Sequence, residues 1–176
     1  MLIQRIQKDP ILSTFLCNDC EEHGVGVIVS DDVIRDTFII IKVDEYYKIH
    51  EKSNSRPKSP DCLIVQHCGG NKFVLYIIEL KSSESLSTKE LNETAEKFQS
   101  CFSDFMSNRF RDYFYDTDYE FTIRLILISN HKERDDNKKT EPSRLDRLLN
   151  LKAFHFANKG YLLQHRIPNP TINPCQ

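Results

Sequence analysis

No stretch of the 176 residues approaches the length of apolar chain that crosses a bilayer. The N-terminus also lacks the charged-then-apolar pattern of a secretory leader, so a cytoplasmic protein with no membrane partner is expected. Glycine is scarce, at 5 residues, and none is grouped into a phosphate-cradling loop. Ser-His-Asp and Cys-His nucleophile arrangements have no local signature either. Nor is there an excess of positive charge: 24 Lys and Arg face 26 Asp and Glu, a net charge of −2. This excludes a polycation that wraps nucleic acid by bulk charge, but not a local basic patch. From His131 onward nine basic residues face five acidic ones. No internal repeat and no linker interrupt the chain, and its length suits one domain over 1–176 with a sizeable core.

Six cysteines are present. Cys17, Cys20 and His23 have metal-like spacing, yet no second Cys-x-x-Cys supplies the remaining ligand of a zinc site. Cys62 and Cys68 flank an apolar hairpin, where cysteine commonly serves as a small buried hydrophobe. All six are expected as reduced thiols in a reducing compartment. His67, His131, His155 and His165 show no paired spacing and are expected in structural or surface roles.

The chemistry concentrates between Ser59 and Ser83. Leu63 to Val65 and Phe73 to Ile78 are rich in β-branched and aromatic residues, and the turn-forming Cys68-Gly69-Gly70-Asn71-Lys72 joins them. Folded as a hairpin, this segment brings Asp61 level with the far end of the second strand. Glu79 and Lys81 sit there on one face, because strand side chains alternate with period two. Two neighbouring carboxylates at the end of a buried strand raise each other's pKa unless a cation lies between them. Asp61, Glu79 and the backbone carbonyl of Leu80 offer the hard oxygens that Mg²⁺ prefers, with Mn²⁺ able to substitute. Lys81 then faces the water that would attack. The competing reading is a surface hairpin in which Glu79 and Lys81 simply pair with each other.

Pro60-Asp61 followed after eighteen residues by Glu79-Leu80-Lys81 resembles the signature of the PD-(D/E)XK nuclease superfamily, the restriction-endonuclease-like fold. The hallmark is short, but its context matches: Pro-Asp opens one strand, the triplet ends the next, and an amphipathic helix follows. The resemblance implies an α/β/α sandwich around a central mixed β-sheet. It implies a Mg²⁺-dependent nuclease, with Asp61, Glu79 and Lys81 catalytic and Asp61, Glu79 and the Leu80 carbonyl holding the metal. DNA is the expected substrate, ahead of RNA, in restriction, repair, recombination or phage defence. The chain would act as a homodimer or within a larger complex. Relatives often add an upstream acid, for which Glu45 is the candidate and Glu21, Glu22 and Glu51 are rivals. Some relatives carry a helical glutamine followed at four residues by an aromatic; Gln99 is followed there by Ser103, so the match fails. The iron-sulfur variant needs several late cysteines, and only Cys175 lies late.

The remaining chain fits around this hairpin. Apolar residues from Leu2 to Leu16 suit helix on either side of Pro10. Asn18 to Gly26 reads as a loop, and Val25 to Val29 and Thr37 to Val43 as strands. Asp44-Glu45-Tyr46-Tyr47 follows, then a polar loop from Glu51 to Ser59 whose Lys52, Arg56 and Lys58 could guide phosphate. Ser87-Thr88-Lys89-Glu90 has the form of a capping box. The helix it opens should run to about Phe110, with Leu91, Ala95, Phe98, Phe102 and Phe105 inward. Phe121 to Ser129 is a strand suited to lie beside the Glu79 strand. Asn130 to Thr140 reads as a loop whose Lys132 and Arg134 are further phosphate candidates, and a short helix is expected from Pro142 to Leu151. Two β-like runs, from Ala153 to Phe156 and from Tyr161 to Ile167, precede an extended tail over 168–176. The alternative to an enzyme is a catalytically silent nucleic-acid-binding module, or a subunit of a larger defence or transposition complex.

Overall fold

The computed structural model describes residues 1–52, 54–83, 85–130 and 153–175. The helix expected from Pro142 to Leu151, and with it Lys132, Arg134 and His131, lies outside the described residues.

Helix α1 (Leu2–Lys8) stops before Pro10, and a short 3₁₀ turn (Leu12–Phe15) resumes on the far side of it. Strands β1 (Leu16–Cys17), β2 (Cys20–Glu22) and β3 (Val25–Val29) follow. The stretch read as a loop therefore contains a strand and a tight hairpin. His23 and Gly24 both take positive φ, at 51° and 78°, which is the turn geometry that matches strand twist. Gly26 is required by the close approach of β2, since a Cβ at that position would lie 2.8 Å from the Cys20 carbonyl.

Strand β4 (Phe38–Lys42) leads into helix α2 (Val43–His50), an element the sequence pattern did not mark. Its β-branched and tyrosine residues have modest helix propensity, and packing decides the matter. Tyr46 stacks edge-on against Phe105 and Phe110, and the Tyr47 hydroxyl donates to Asp104 at 2.7 Å. Arg109 completes the clamp, reaching Asp104 and Glu51 at 2.6 Å each and the Tyr46 hydroxyl at 3.1 Å.

The central hairpin forms as the pattern predicts: β5 (Cys62–His67) and β6 (Lys72–Lys81) pair antiparallel, from Cys62 against Ile78 to His67 against Phe73. Ser87 caps helix α3 (Thr88–Ser100), and the reciprocal bonds with Glu90 make the capping box complete. Beyond α3 the chain widens into a π-helix (Cys101–Arg109) before α4 (Arg111–Phe114). Phe98, Phe102 and Phe105 are buried and Leu91 and Ala95 half-buried, so the inward face is the expected one, although the helix is not uniformly α.

Strand β7 (Glu120–Ser129) lies parallel to β6 over its whole length. The connection through α3 is the crossover that parallel neighbours need. Two short strands, β8 (Phe154–Phe156) and β9 (Lys159–Tyr161), form a separate hairpin, and β10 (Leu163–Arg166) adds to the outer edge of β7. The tail is extended as expected but not free. Strand β11 (Thr171–Ile172) pairs in parallel with β3.

The result is a mixed six-stranded sheet in the order β1-β4-β5-β6-β7-β10 and a three-stranded sheet in the order β11-β3-β2. One face of the large sheet, with Leu63, Leu75, Ile77 and Leu125, packs on α1, α2, α3 and the π-helix. The other, with Ile64, Tyr76, Ile78 and Ile128, packs on Cys20 and Val25 of the small sheet and Ile172 of its tail strand. Among the described residues the second layer is thus made of strands, where an α/β/α sandwich would place helices. The continuous apolar character of β5 and β6 follows from burial on both faces. No helix among the described residues is long and apolar enough to cross a membrane.

The expectation of six reduced thiols does not hold. Cys20 bonds Cys62 and Cys68 bonds Cys175, leaving Cys17 and Cys101 as free thiols. Both bridges fasten the small sheet and its tail strand to β5, one at each end of that strand. Spacing along the chain could not reveal this, because the partners lie 42 and 107 residues apart.

Candidate active site

The hairpin register decides where the charged groups go. The Asp61 N–H donates to the Ile78 carbonyl at 3.0 Å, and the Asp61 carbonyl accepts from Val43 N–H at the start of α2. Asp61 is thereby fixed beside the end of β6. Its carboxylate accepts the Leu80 N–H at 2.7 Å. A strand residue sends its N–H and C=O to the same edge, so the Leu80 carbonyl leaves β6 on the Asp61 side. Glu79 and Lys81 share the face of Leu75 and Ile77, toward the helices.

Glu79 is completely buried. Its Oε1 receives two ammonium groups: Lys81 at 3.1 Å, and Lys97 of α3 at 2.6 Å. Its Oε2 has no hydrogen-bond partner among the described residues. An orphaned buried carboxylate oxygen is costly and calls for an explanation.

Burial, more than any neighbour, pushes the Asp61 carboxyl up to about 7, and the Glu79 charge adds to that effect. The Leu80 N–H and the Lys97 charge pull it back, while the Asp44 charge pushes with Glu79. For Lys81, burial works against the ammonium, but the charge and hydrogen bond of Glu79 outweigh it and the pKa lies above the ordinary lysine range.

The structure therefore brings Asp61, Glu79, Leu80 and Lys81 together and adds Lys97, which the sequence reading missed. The signal was present but faint, since Lys97 lies next to the inward-facing Phe98 on α3. Glu45 is not brought in: it is exposed on α2, and the acid of that helix whose charge reaches Asp61 is Asp44, itself paired with Lys48. The rivals fare no better. Glu21 and Glu22 are exposed on β2, and Glu51 is engaged by Arg109. Lys52 and Arg56 are exposed in the loop before Asp61, whereas Lys58 is tied to Glu96 of α3 at 2.7 Å. Gln99 is exposed on α3. His67 Nε2 lies 3.0 Å from the Gly70 carbonyl and His165 Nε2 2.8 Å from Ser129 Oγ, both structural contacts.

No cluster of three or more His, Cys, Asp or Glu suited to a metal occurs among the described residues. Two carboxylates and one backbone carbonyl are what the site offers, and the orphaned Glu79 Oε2 fits a hard divalent cation that takes its remaining ligands from water or phosphate. A cavity of about 990 Å³ lies at the opposite end of β6 and β7, lined by Lys72, Tyr76, Arg124, Tyr161 and Cys175 among others, and neither Asp61 nor Glu79 borders it. Compared with known proteins, the chain matches no family model, no curated protein and no solved structure.

Proposed function

We propose that the chain is a metal-dependent nuclease of the PD-(D/E)XK type that hydrolyses phosphodiester bonds, with DNA as substrate and Mg²⁺ or Mn²⁺ as cofactor. The observation that carries this reading is the pairing of Asp61 with the Glu79-Leu80-Lys81 strand end, where a fully buried Glu79 keeps one oxygen unpartnered. A restriction-endonuclease-like fold is part of the proposal, supported by the mixed central sheet and the order of the elements around it.

Asp61, Glu79 and the Leu80 carbonyl would hold the cation, which when bound supplies Lewis-acid polarisation of the scissile phosphate. The chain's own residues do the rest. Lys81, half-buried beside Glu79, orients the attacking water and offsets negative charge that builds on the phosphate oxygens. Water adds to phosphorus, the bond to the 3′ oxygen breaks, and one proton ends on that departing oxygen. The low exposure of the site strengthens these interactions relative to water. Lys52 and Arg56 stand exposed in the preceding loop and are available for phosphate contacts. Cutting both strands would call for a homodimer or a larger complex.

The second reading is a nucleic-acid-binding module without catalysis. It is favoured by the charge balance of the site, since Lys81 and Lys97 already neutralise Glu79 without a metal. One experiment separates the two. Supercoiled plasmid, single-stranded DNA and RNA are incubated with the protein in Mg²⁺, Mn²⁺ or EDTA, beside Asp61→Ala and Lys81→Ala. Cleavage that needs the metal and vanishes in both variants is expected. Folded protein that cuts nothing, and retains DNA equally in EDTA, would move the assignment to the binding module.

A further inference from the structure

The site carries a cation of its own. Lys97 Nζ lies 2.6 Å from Glu79 Oε1, closer than Lys81 at 3.1 Å, and both ammonium groups contact that same oxygen. One oxygen of the carboxylate is thus doubly engaged, and the other, Oε2, is buried and bare. The placement of Lys97 is fixed by its helix. The capping box sets the start of α3, and the neighbouring Phe98 is fully buried, which leaves α3 no freedom to rotate Lys97 away. The ammonium itself sits on a flexible four-carbon stem and can shift without moving the helix. Lys97 keeps only 22% of its side-chain surface exposed, so its charge acts through little solvent.

We infer that Lys97 is the internal counter-ion of the metal site: it neutralises Glu79 while no divalent cation is present and gives up that role when one enters on the Oε2 side. The inference rests on the metal-dependent reading above. Without a metal, the buried Glu79 carboxylate needs both lysines, because an uncompensated buried charge strongly disfavours folding. With a metal, Lys97 is a like charge beside the incoming ion and opposes it. Lys97 therefore stabilises the metal-free fold and weakens metal binding. A lysine with a purely structural role would do the first and not the second.

The test is calorimetric titration of the full chain with MnCl₂, together with thermal melts in EDTA and in Mn²⁺. Lys97→Met keeps the apolar stem and removes the charge, Lys97→Gln is a second neutral variant in case the first does not fold, and Lys97→Arg keeps the charge. The neutral variants should melt lower than wild type in EDTA, recover in Mn²⁺, and bind Mn²⁺ roughly tenfold or more tightly than wild type. Lys97→Arg should bind as wild type does. If wild type binds Mn²⁺ and the neutral variants bind no tighter, the counter-ion role is overturned while the metal site stands. If neither wild type nor the variants bind Mn²⁺, the metal site falls and the counter-ion role with it.

Discussion

The carboxylate of Asp61 accepts the backbone N–H of Leu80 at 2.7 Å, so the side chain that opens one strand closes the hydrogen bonding of the next. This bond extends the hairpin past its last backbone pair, Cys62 against Ile78. It also orients one carboxylate oxygen and holds the Leu80 peptide at the edge of the site.

Replacing Asp61 should therefore cost stability as well as activity. Asp61→Ala leaves the half-buried Leu80 N–H without its acceptor and should lower unfolding free energy by about 1–3 kcal/mol. Asp61→Asn keeps an acceptor oxygen and should cost less, yet it should be as inactive in the plasmid assay as the alanine variant. Chemical denaturation in EDTA at about pH 4, where folded Asp61 keeps its proton, compares the two directly. Equal stability losses would show that the Leu80 bond contributes nothing.

The contribution of Asp61 to stability in EDTA should fall as pH rises from about 4 to above 7. The sign follows from Asp61, whose carboxyl is pushed up to about 7 in the folded chain, from an ordinary value near 3.8, by burial and then by the Glu79 charge. The folded state binds the proton more tightly than the unfolded state does. This contribution is complete below the unfolded pKa and is lost as pH climbs through 7, amounting to a few kcal/mol. Melting temperatures measured from about pH 5.5, above the range in which the carboxylates with lowered pKa titrate, to about pH 8 should slope downward for wild type. Asp61→Asn, which cannot titrate there, should show a flatter profile, and an unchanged slope would remove Asp61 as the cause.

Thiol counting checks the covalent frame. Protein denatured without reductant and then alkylated should take up two labels, on Cys17 and Cys101, and six after reduction. Peptide mapping should recover the Cys20–Cys62 and Cys68–Cys175 cross-links. Loss of either bridge, as in Cys20→Ser with Cys62→Ser, should destabilise the chain by roughly 2–4 kcal/mol. Six labels without reductant would show that the fold stands on packing alone.

The start of α3 can be tested apart from the chemistry. Ser87→Ala removes the acceptor for the Glu90 N–H and half of a reciprocal pair, at a cost of about 1 kcal/mol. Because α3 carries Lys97 to Glu79, the variant should also loosen that contact. The measurement is a denaturation midpoint together with hydrogen exchange at residues 88–91. A midpoint equal to that of wild type would mean that packing of Phe98 alone sets the helix.

Local pattern was enough for the elements whose signals are strong and short in range. The Gly-Gly turn between two apolar runs determined the hairpin, period-two alternation put Glu79 and Lys81 on one face, and the Ser87–Glu90 spacing marked the helix start. These features act within a few residues, and no distant contact competes with them. Helix α2 was not legible, because Tyr46 and Tyr47 become helical only by packing on Phe105 and bonding to Asp104. Strand β2 was hidden behind the weak His23-Gly24 turn, and β11 exists only because β3 offers it an edge.

The site divides in the same way. Sequence by itself determined that Asp61, Glu79 and Lys81 would converge, since hairpin geometry alone brings them together. Tertiary structure decided that Lys97 joins them, that Asp44 and not Glu45 is the helical acid felt at Asp61, and that four cysteines are bridged. Each of those depends on how a helix or a second sheet docks on the central one. Docking is settled by burial summed over many residues far apart in the chain, and no local spacing encodes it.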